Sequence, residues 1–170
     1  QIGAHDGLLD DPIHDVVKAS SNFEGVMVEP LVEPFQKLQN QYKGSAFKFE
    51  NSAIYDYDGV VELTQYKKEA LVADWQTGCT TVLPLTHLDM MSSPSSDLQK
   101  VAVACISWRT FVKKYDIQEM HLLQIDVEGY DFELIKQIDF TLHHPHIIHY
   151  EHLHLHDQVA VSMSYLESFG

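Results

Sequence analysis

Six polar residues fall where short apolar runs give out. Asp6 follows the opening residues, Glu29 follows Val26-Met27-Val28, and Asn51 follows an alternating run. Asp126 and Glu128 follow Leu122-Leu123-Gln124-Ile125, and Glu151 follows Ile147-Ile148-His149-Tyr150. Five carboxylates and an amide can accept from hydroxyls and amines, take up protons and balance a cation. Near the start, Gly3-Ala4-His5-Asp6-Gly7 forms a G-x-x-x-G turn. The dinucleotide fingerprint is G-x-G-x-x-G, whose middle glycine lets the backbone approach a pyrophosphate, and here His5 holds that place. Asp6, Asp10 and Asp11 surround the helix start where a phosphate would sit, which opposes a phosphate-bearing ligand. Glu29 lies 22 residues beyond Gly7, near the interval of about 20 at which a strand-end acid reaches a ribose hydroxyl pair. The pattern suits a phosphate-free nucleoside that carries positive charge, such as S-adenosylmethionine with its sulfonium.

These groups need strand ends to hold them. The spacing predicts a helix over residues 12–18, entered through Pro12 with Asp10 and Asp11 at the cap, then a strand at 26–28 ended by Pro30. Phe35, Leu38, Gln39 and Tyr42 fall at helical spacing before a Lys43-Gly44 stop. Residues 46–51 alternate as a strand that runs on through Ala53 and Ile54. Tyr57-Asp58-Gly59 reads as a hairpin turn into a strand at 60–66. The pattern fails over residues 67–100, where Ser92-Ser93-Pro94-Ser95-Ser96 reads as a loop. A strand at 101–106, a helix capped by Ser107 through Tyr115, a strand at 122–126, a helix at 130–138, a strand at 147–151 and a helix at 158–168 follow. Strands alternating with helices predict an α/β sheet, mainly parallel, whose ligands bind beyond the carboxyl ends of the strands.

Composition narrows the partners. The chain has 170 residues, the size of one domain, with 25 acids against 11 bases and a formal charge of −14. Arg109 is its sole arginine, so the forked donors favoured for phosphate and nucleic acid are nearly absent. No apolar run approaches the roughly 20 residues that cross a bilayer. Nucleic acid and membrane are therefore not expected as partners. Cys79 and Cys105 form no CxxC pair and read as reduced thiols, which favours a cytoplasmic setting. The opening at Gln1, directly before a glycine turn, reads as a fragment that begins where a strand ends.

The residues resemble the FkbM-type methyltransferases. The matching stretches are QIGAHDG at 1–7, VEP at 28–30, FENSAI at 49–54, ACISWRTFVKKYDI at 104–117, LLQIDVEGYDFELIKQIDF at 123–140 and PHIIHYEHLHL at 145–155, in family order over nearly the whole chain. The resemblance implies a single domain over 1–170 with a Rossmann-like class I sheet, helices on both faces, and strands missing at both ends. It implies an S-adenosylmethionine-dependent O-methyltransferase acting on a hydroxyl of a small metabolite or sugar unit. Gly3, Ala4, His5, Asp6 and Gly7 would form the cofactor turn and Glu29 would hold the ribose. Asn51, Ser52 and Ala53 would flank the adenine, and Asp126 would lie by the methionine end. Many members carry Asn where this chain has His5, and Lys where it has Gln124.

Methyl transfer to a hydroxyl needs an oriented acceptor, a base and exclusion of water. Asp126, Glu151 and His152 are the expected catalytic residues, with Glu128 and Asp131 as alternatives or as structural acids of the loop and helix start. Seven histidines lie within residues 143–157. If that stretch is extended, His152, His154 and His156 share one face as metal ligands could, which gives the competing reading of a histidine-rich metal-binding or catalytically degenerate domain. No metal is required by the methyl-transfer reading. Trp75 is a core aromatic or part of an acceptor lid. Phe111, Val112 and Tyr115 are core, and Lys67-Lys68 and Lys113-Lys114 are solvated. Acceptor choice is expected to reside in residues 67–100 and the segment after Glu151.

Overall fold

The computed structural model describes residues 1–71, 73–83 and 95–170, without the side chains of Asp74, Trp75 and Ser95. Ser92, Ser93 and Pro94 of the expected loop, and the Trp75 ring, thus lie outside the description. In chain order the elements are α1 (His14–Lys18), β1 (Glu24–Val28), α2 (Val32–Gln41), β2 (Ala46–Glu50), β3 (Ala53–Tyr55), β4 (Gly59–Tyr66) and β5 (Thr80–Thr81). Then come β6 (Leu98–Ser107), α3 (Trp108–Tyr115), β7 (Leu122–Ile125), α4 (Asp131–Lys136), β8 (Ile147–Tyr150) and α5 (Val159–Glu167). No helix among the described residues is long and apolar enough to cross a membrane.

The first three residues organise the parallel part. Ile2 bridges Val28 on one side and Ile125 on the other, both in parallel sense. Its amide donates to the Gln124 carbonyl at 2.8 Å, and its carbonyl accepts from the Asp126 amide at 3.0 Å. β1 pairs in parallel with β2, and β7 with β8. The strands therefore run β2, β1, residues 1–3, β7, β8. Strand order reverses at residues 1–3, and such a reversal opens a crevice beyond the carboxyl ends. Successive residues of β1 face opposite sides, and each side is covered by helices. Met27 packs with Val17, Leu38 and Tyr42 from α1 and the end of α2, whereas Val28 packs with Trp108 and Phe111 of α3 and with Leu134 and Ile135 of α4.

The remaining strands correct the expectation of a mainly parallel chain. They form a mixed sheet in the order β3, β6, β4, β5, with β4 antiparallel to β6 over eight paired positions from Gly59 opposite Cys105 to Tyr66 opposite Leu98. Along β4, Val61 and Leu63 are buried while Val60 and Glu62 are exposed. That alternation suits an antiparallel strand covered on one face. Tyr57-Asp58-Gly59 is not a hairpin turn, because β6 lies between β3 and β4. Asp58 instead receives the Ser107 amide at 2.7 Å and the Thr110 hydroxyl at 2.7 Å, reinforcing the expected Ser107 cap of α3.

The single strand expected over residues 46–54 is two. Asn51 Nδ2 donates to the carbonyls of Glu29, at 2.8 Å, and Pro30, at 3.1 Å. Pairing to β1 ends at Glu50, and Ala53 begins pairing with Cys105 in the other sheet. α1 starts at His14 rather than Pro12, since Asp11 Oδ1 accepts from the Ile13 amide and closes a turn before the helix.

Candidate functional site

The glycine turn sits in the crevice where strand order reverses. Gly3 has φ of 75°, and a Cβ there would lie 1.7 Å from the Asp126 carbonyl oxygen, so β7 itself demands glycine. His5, with φ of 46°, presents its amide to Glu29 Oε2 at 2.9 Å. Asp6 turns away from the crevice to accept from the amides of Leu8 and Leu9. Burial opposes its ionisation, but those amides, with His5 and Lys37, hold its carboxyl below the ordinary range. Gly7, with φ of 72°, is set by packing: a Cβ would come within 2.7 Å of both Tyr42 and Leu38. Its glycine serves the contact with α2 rather than the approach of a ligand.

Glu29 follows β1 and is 5% exposed. Its second oxygen accepts from the Leu31 amide at 2.7 Å. Burial pushes the carboxyl up to about 7, although the Leu31 and His5 amides favour its charge. A carboxylate has roughly four acceptor sites, so two backbone bonds leave capacity for a ligand's hydroxyls. Asn51 braces this corner from behind. Ser52 is buried and donates to Glu50 Oε1, whose other oxygen receives Lys114 Nζ at 2.6 Å and the Tyr115 hydroxyl at 2.7 Å. Lys114 is therefore tied to a buried acid and is not merely solvated.

A cavity opens among these groups. Of the residues expected to bind cofactor, Gly3, Ala4, His5, Glu29, Ser52, Ala53 and Asp126 line it; Asp6, Gly7 and Asn51 do not. The wall also holds Asp10, Asp11 and Glu128, and no lysine or arginine is among its described lining residues. Gln124 joins the wall as well, fully buried, with Oε1 lacking a hydrogen-bond partner.

At the β7 and β8 ends the acids converge. Burial, and then the charges of Glu151, Glu128 and Asp131, push the Asp126 carboxyl up to about 8. Asp131 is fully buried and accepts from the amides of Val127 and Gly129, so it fastens the loop. Glu128, with φ of 54°, places Oε2 3.2 Å from His154 Nε2, and Glu151 Oε1 lies 3.8 Å from the same nitrogen. Glu128 beside it, with Glu151 adding, raises the imidazole pKa of His154 although burial opposes this. The neighbouring Cys79 thiol is pushed up to about 12 by burial and by the charges of Glu128, Glu151, Asp126 and Asp10.

A family model described as "Methyltransferase FkbM domain" matches residues 1–170, the whole chain. The chain belongs to the FkbM methyltransferase family. It is a methyltransferase domain, and the crevice is the place in it where turn, buried acid and cavity meet. No curated protein and no solved structure matches the chain.

Two expectations for this methyltransferase meet a different placement in the structure. His152 is exposed and absent from the cavity wall, and Glu151 is absent from the wall as well. Residues 151–158 are not extended: the Leu155 amide donates to the His152 carbonyl and a 3-10 turn follows at His156–Gln158. The proposed face of His152, His154 and His156 does not form, because burying Leu155 in the core carries His154 inward and leaves the other two in solvent. His154 is thus the residue that sequence reasoning misplaced. Its signal was the three-residue interval from Glu151, which a tight turn places on one side.

Proposed function

We propose that this methyltransferase uses S-adenosylmethionine to methylate a hydroxyl of a small metabolite or sugar unit, on a Rossmann-like class I sheet. The observation that carries this reading is the buried Glu29 carboxylate, held beside the Gly3-Ala4-His5 turn in a cavity walled by acids and free of described lysine and arginine. Those donors and acceptors fit a cationic nucleoside and disfavour a phosphate. When bound, S-adenosylmethionine supplies an electrophilic methyl group on a sulfonium that departs as a neutral thioether.

Glu29 holds the ribose hydroxyls, while Ser52 and Ala53 flank the base. Asn51, Asp6 and Gly7 keep the corner and turn in shape without entering the cavity. Asp126, in the cavity wall, would take up the proton that the acceptor hydroxyl gives up. Gly78, Thr80 and Val82 complete the wall from the irregular segment, which supports its share in acceptor choice. The two unbridged cysteines support a cytoplasmic setting. Calorimetric titration with S-adenosylhomocysteine tests the cofactor. Saturable binding weakened by Glu29→Ala is expected; no binding, or binding indifferent to that change, overturns it. A panel of hydroxylated acceptors then identifies the substrate.

A further inference from the structure

Glu128, Glu151 and His154 each offer one ligand atom, and the three atoms lie within 4.8 Å of one another. We infer that these three side chains bind a divalent transition cation of the Mn²⁺ or Zn²⁺ type beside the methyl-transfer cavity. The donor set is two carboxylate oxygens and one imidazole nitrogen, which suits that class of ion. Bonds of about 2.0–2.1 Å to a tetrahedral ion separate its ligands by about 3.3 Å. The observed separations from His154 Nε2 are 3.2 Å to Glu128 and 3.8 Å to Glu151, so small side-chain shifts suffice.

A second observation points to an occupant. Glu151 Oε2 is buried and has no hydrogen-bond partner, while Glu128 Oε2 meets only His154 Nε2, at 3.2 Å, from a side chain that is 7% exposed. A buried carboxylate oxygen left unpaired is costly, and a cation held between the two acids satisfies it. No lysine or arginine makes an ion pair with either acid among the described residues. Both acids are held from the backbone. Thr81 donates to the Glu128 carbonyl, Asp131 fastens the loop on either side of Glu128, and the Glu151 amide donates to Ile125 in β7.

Glu128 also lines the cavity, so a cation held on it would stand at the cavity wall. An oxygen bound there would be oriented and would lose its proton more readily. This use rests on the methyl-transfer reading, whereas the binding itself does not.

The test is Mn²⁺ binding to the metal-stripped protein, followed by electron paramagnetic resonance, with zinc retention after dialysis measured in parallel. About one equivalent is expected, with binding weakened at least about tenfold in Glu151→Gln, His154→Ala and Glu128→Gln and unchanged in His152→Ala. Glu151→Gln is nearly isosteric, and its thermal melt checks that it folds. Absence of saturable binding to the wild type, or binding equal in the three ligand variants, overturns the site. S-adenosylhomocysteine titration of the same samples separates the two readings: cofactor bound without metal removes the cation site alone, and metal bound without cofactor removes the cofactor reading alone.

Discussion

Replacing Glu29 with glutamine tests the centre of the proposed chemistry. Its carboxyl is raised from 4.5 to about 7, and the residue is 5% exposed, so ionising it costs the unliganded domain about 3 kcal/mol. The sign follows from proton binding: between pH 4.5 and 7 the folded state holds the proton more tightly, so this stability is present at low pH and lost as pH rises through 7. Glutamine removes that cost but matches only one of the two amides, His5 or Leu31, and an unmatched buried donor costs about 1–3 kcal/mol. The variant should therefore melt at pH 8 no lower than the wild type. Ligand affinity should move the other way. Hydrogen bonds to a charged group are worth about 1.5–3 kcal/mol each, and a net loss of about 2–3 kcal/mol raises the Kd for S-adenosylhomocysteine about 30- to 150-fold. Calorimetry at pH 8 reads this loss, and the gap between variant and wild type should narrow toward pH 6 as wild-type Glu29 takes up its proton. A folded variant that binds as tightly as wild type at pH 8 would refute the reasoning.

Gly3→Ala should cost at least about 3 kcal/mol in denaturant unfolding or prevent folding, because its Cβ meets the Asp126 carbonyl in left-handed backbone. Gly44→Ala, also left-handed but with open space around it, should cost about 1 kcal/mol. Asn51→Ala removes two bonds to the Glu29 and Pro30 carbonyls, so a loss of about 1–3 kcal/mol is expected, together with weaker cofactor binding in the same titration. Tyr115→Phe deletes the hydroxyl bonded to Glu50 and should cost about 1.5–3 kcal/mol at pH 7. Burial opposes ionisation of Glu50, but Lys114, Tyr115 and Ser52 outweigh it and lower its pKa. The stability they contribute is thus present above pH 4.5 and lost as pH falls below it, so the gap between Tyr115→Phe and wild type should shrink in acid melts.

Much of the scaffold was legible because it is written in local intervals. Ser107 caps α3 through the amide three residues on, and β7 and β8 are short apolar runs that end at acids. The glycine turn and Glu29 do meet in one crevice, since a strand and its crossover carry them to neighbouring carboxyl ends. Other features lay beyond any window of sequence. Asn51 resembles a ligand-facing residue by position, yet its amide is consumed by two carbonyls more than 20 residues away. Gly7 resembles a phosphate-loop glycine, yet α2 dictates it.

The sequence by itself determined the family, the run of strands and helices, and the strand-end acids, because periodicity, capping and glycine turns act over a few residues. Tertiary structure decided which acids share one environment. It turned β4 back antiparallel on β6 and split residues 46–55 between two sheets, since pairing partners are chosen by long-range burial. It also buried Leu155, and that one apolar side chain set His154 against Glu128 and Glu151 while leaving His152 and His156 in water. A period-two count along the chain cannot register such a choice, because the energy that decides it comes from a core built by distant strands and helices.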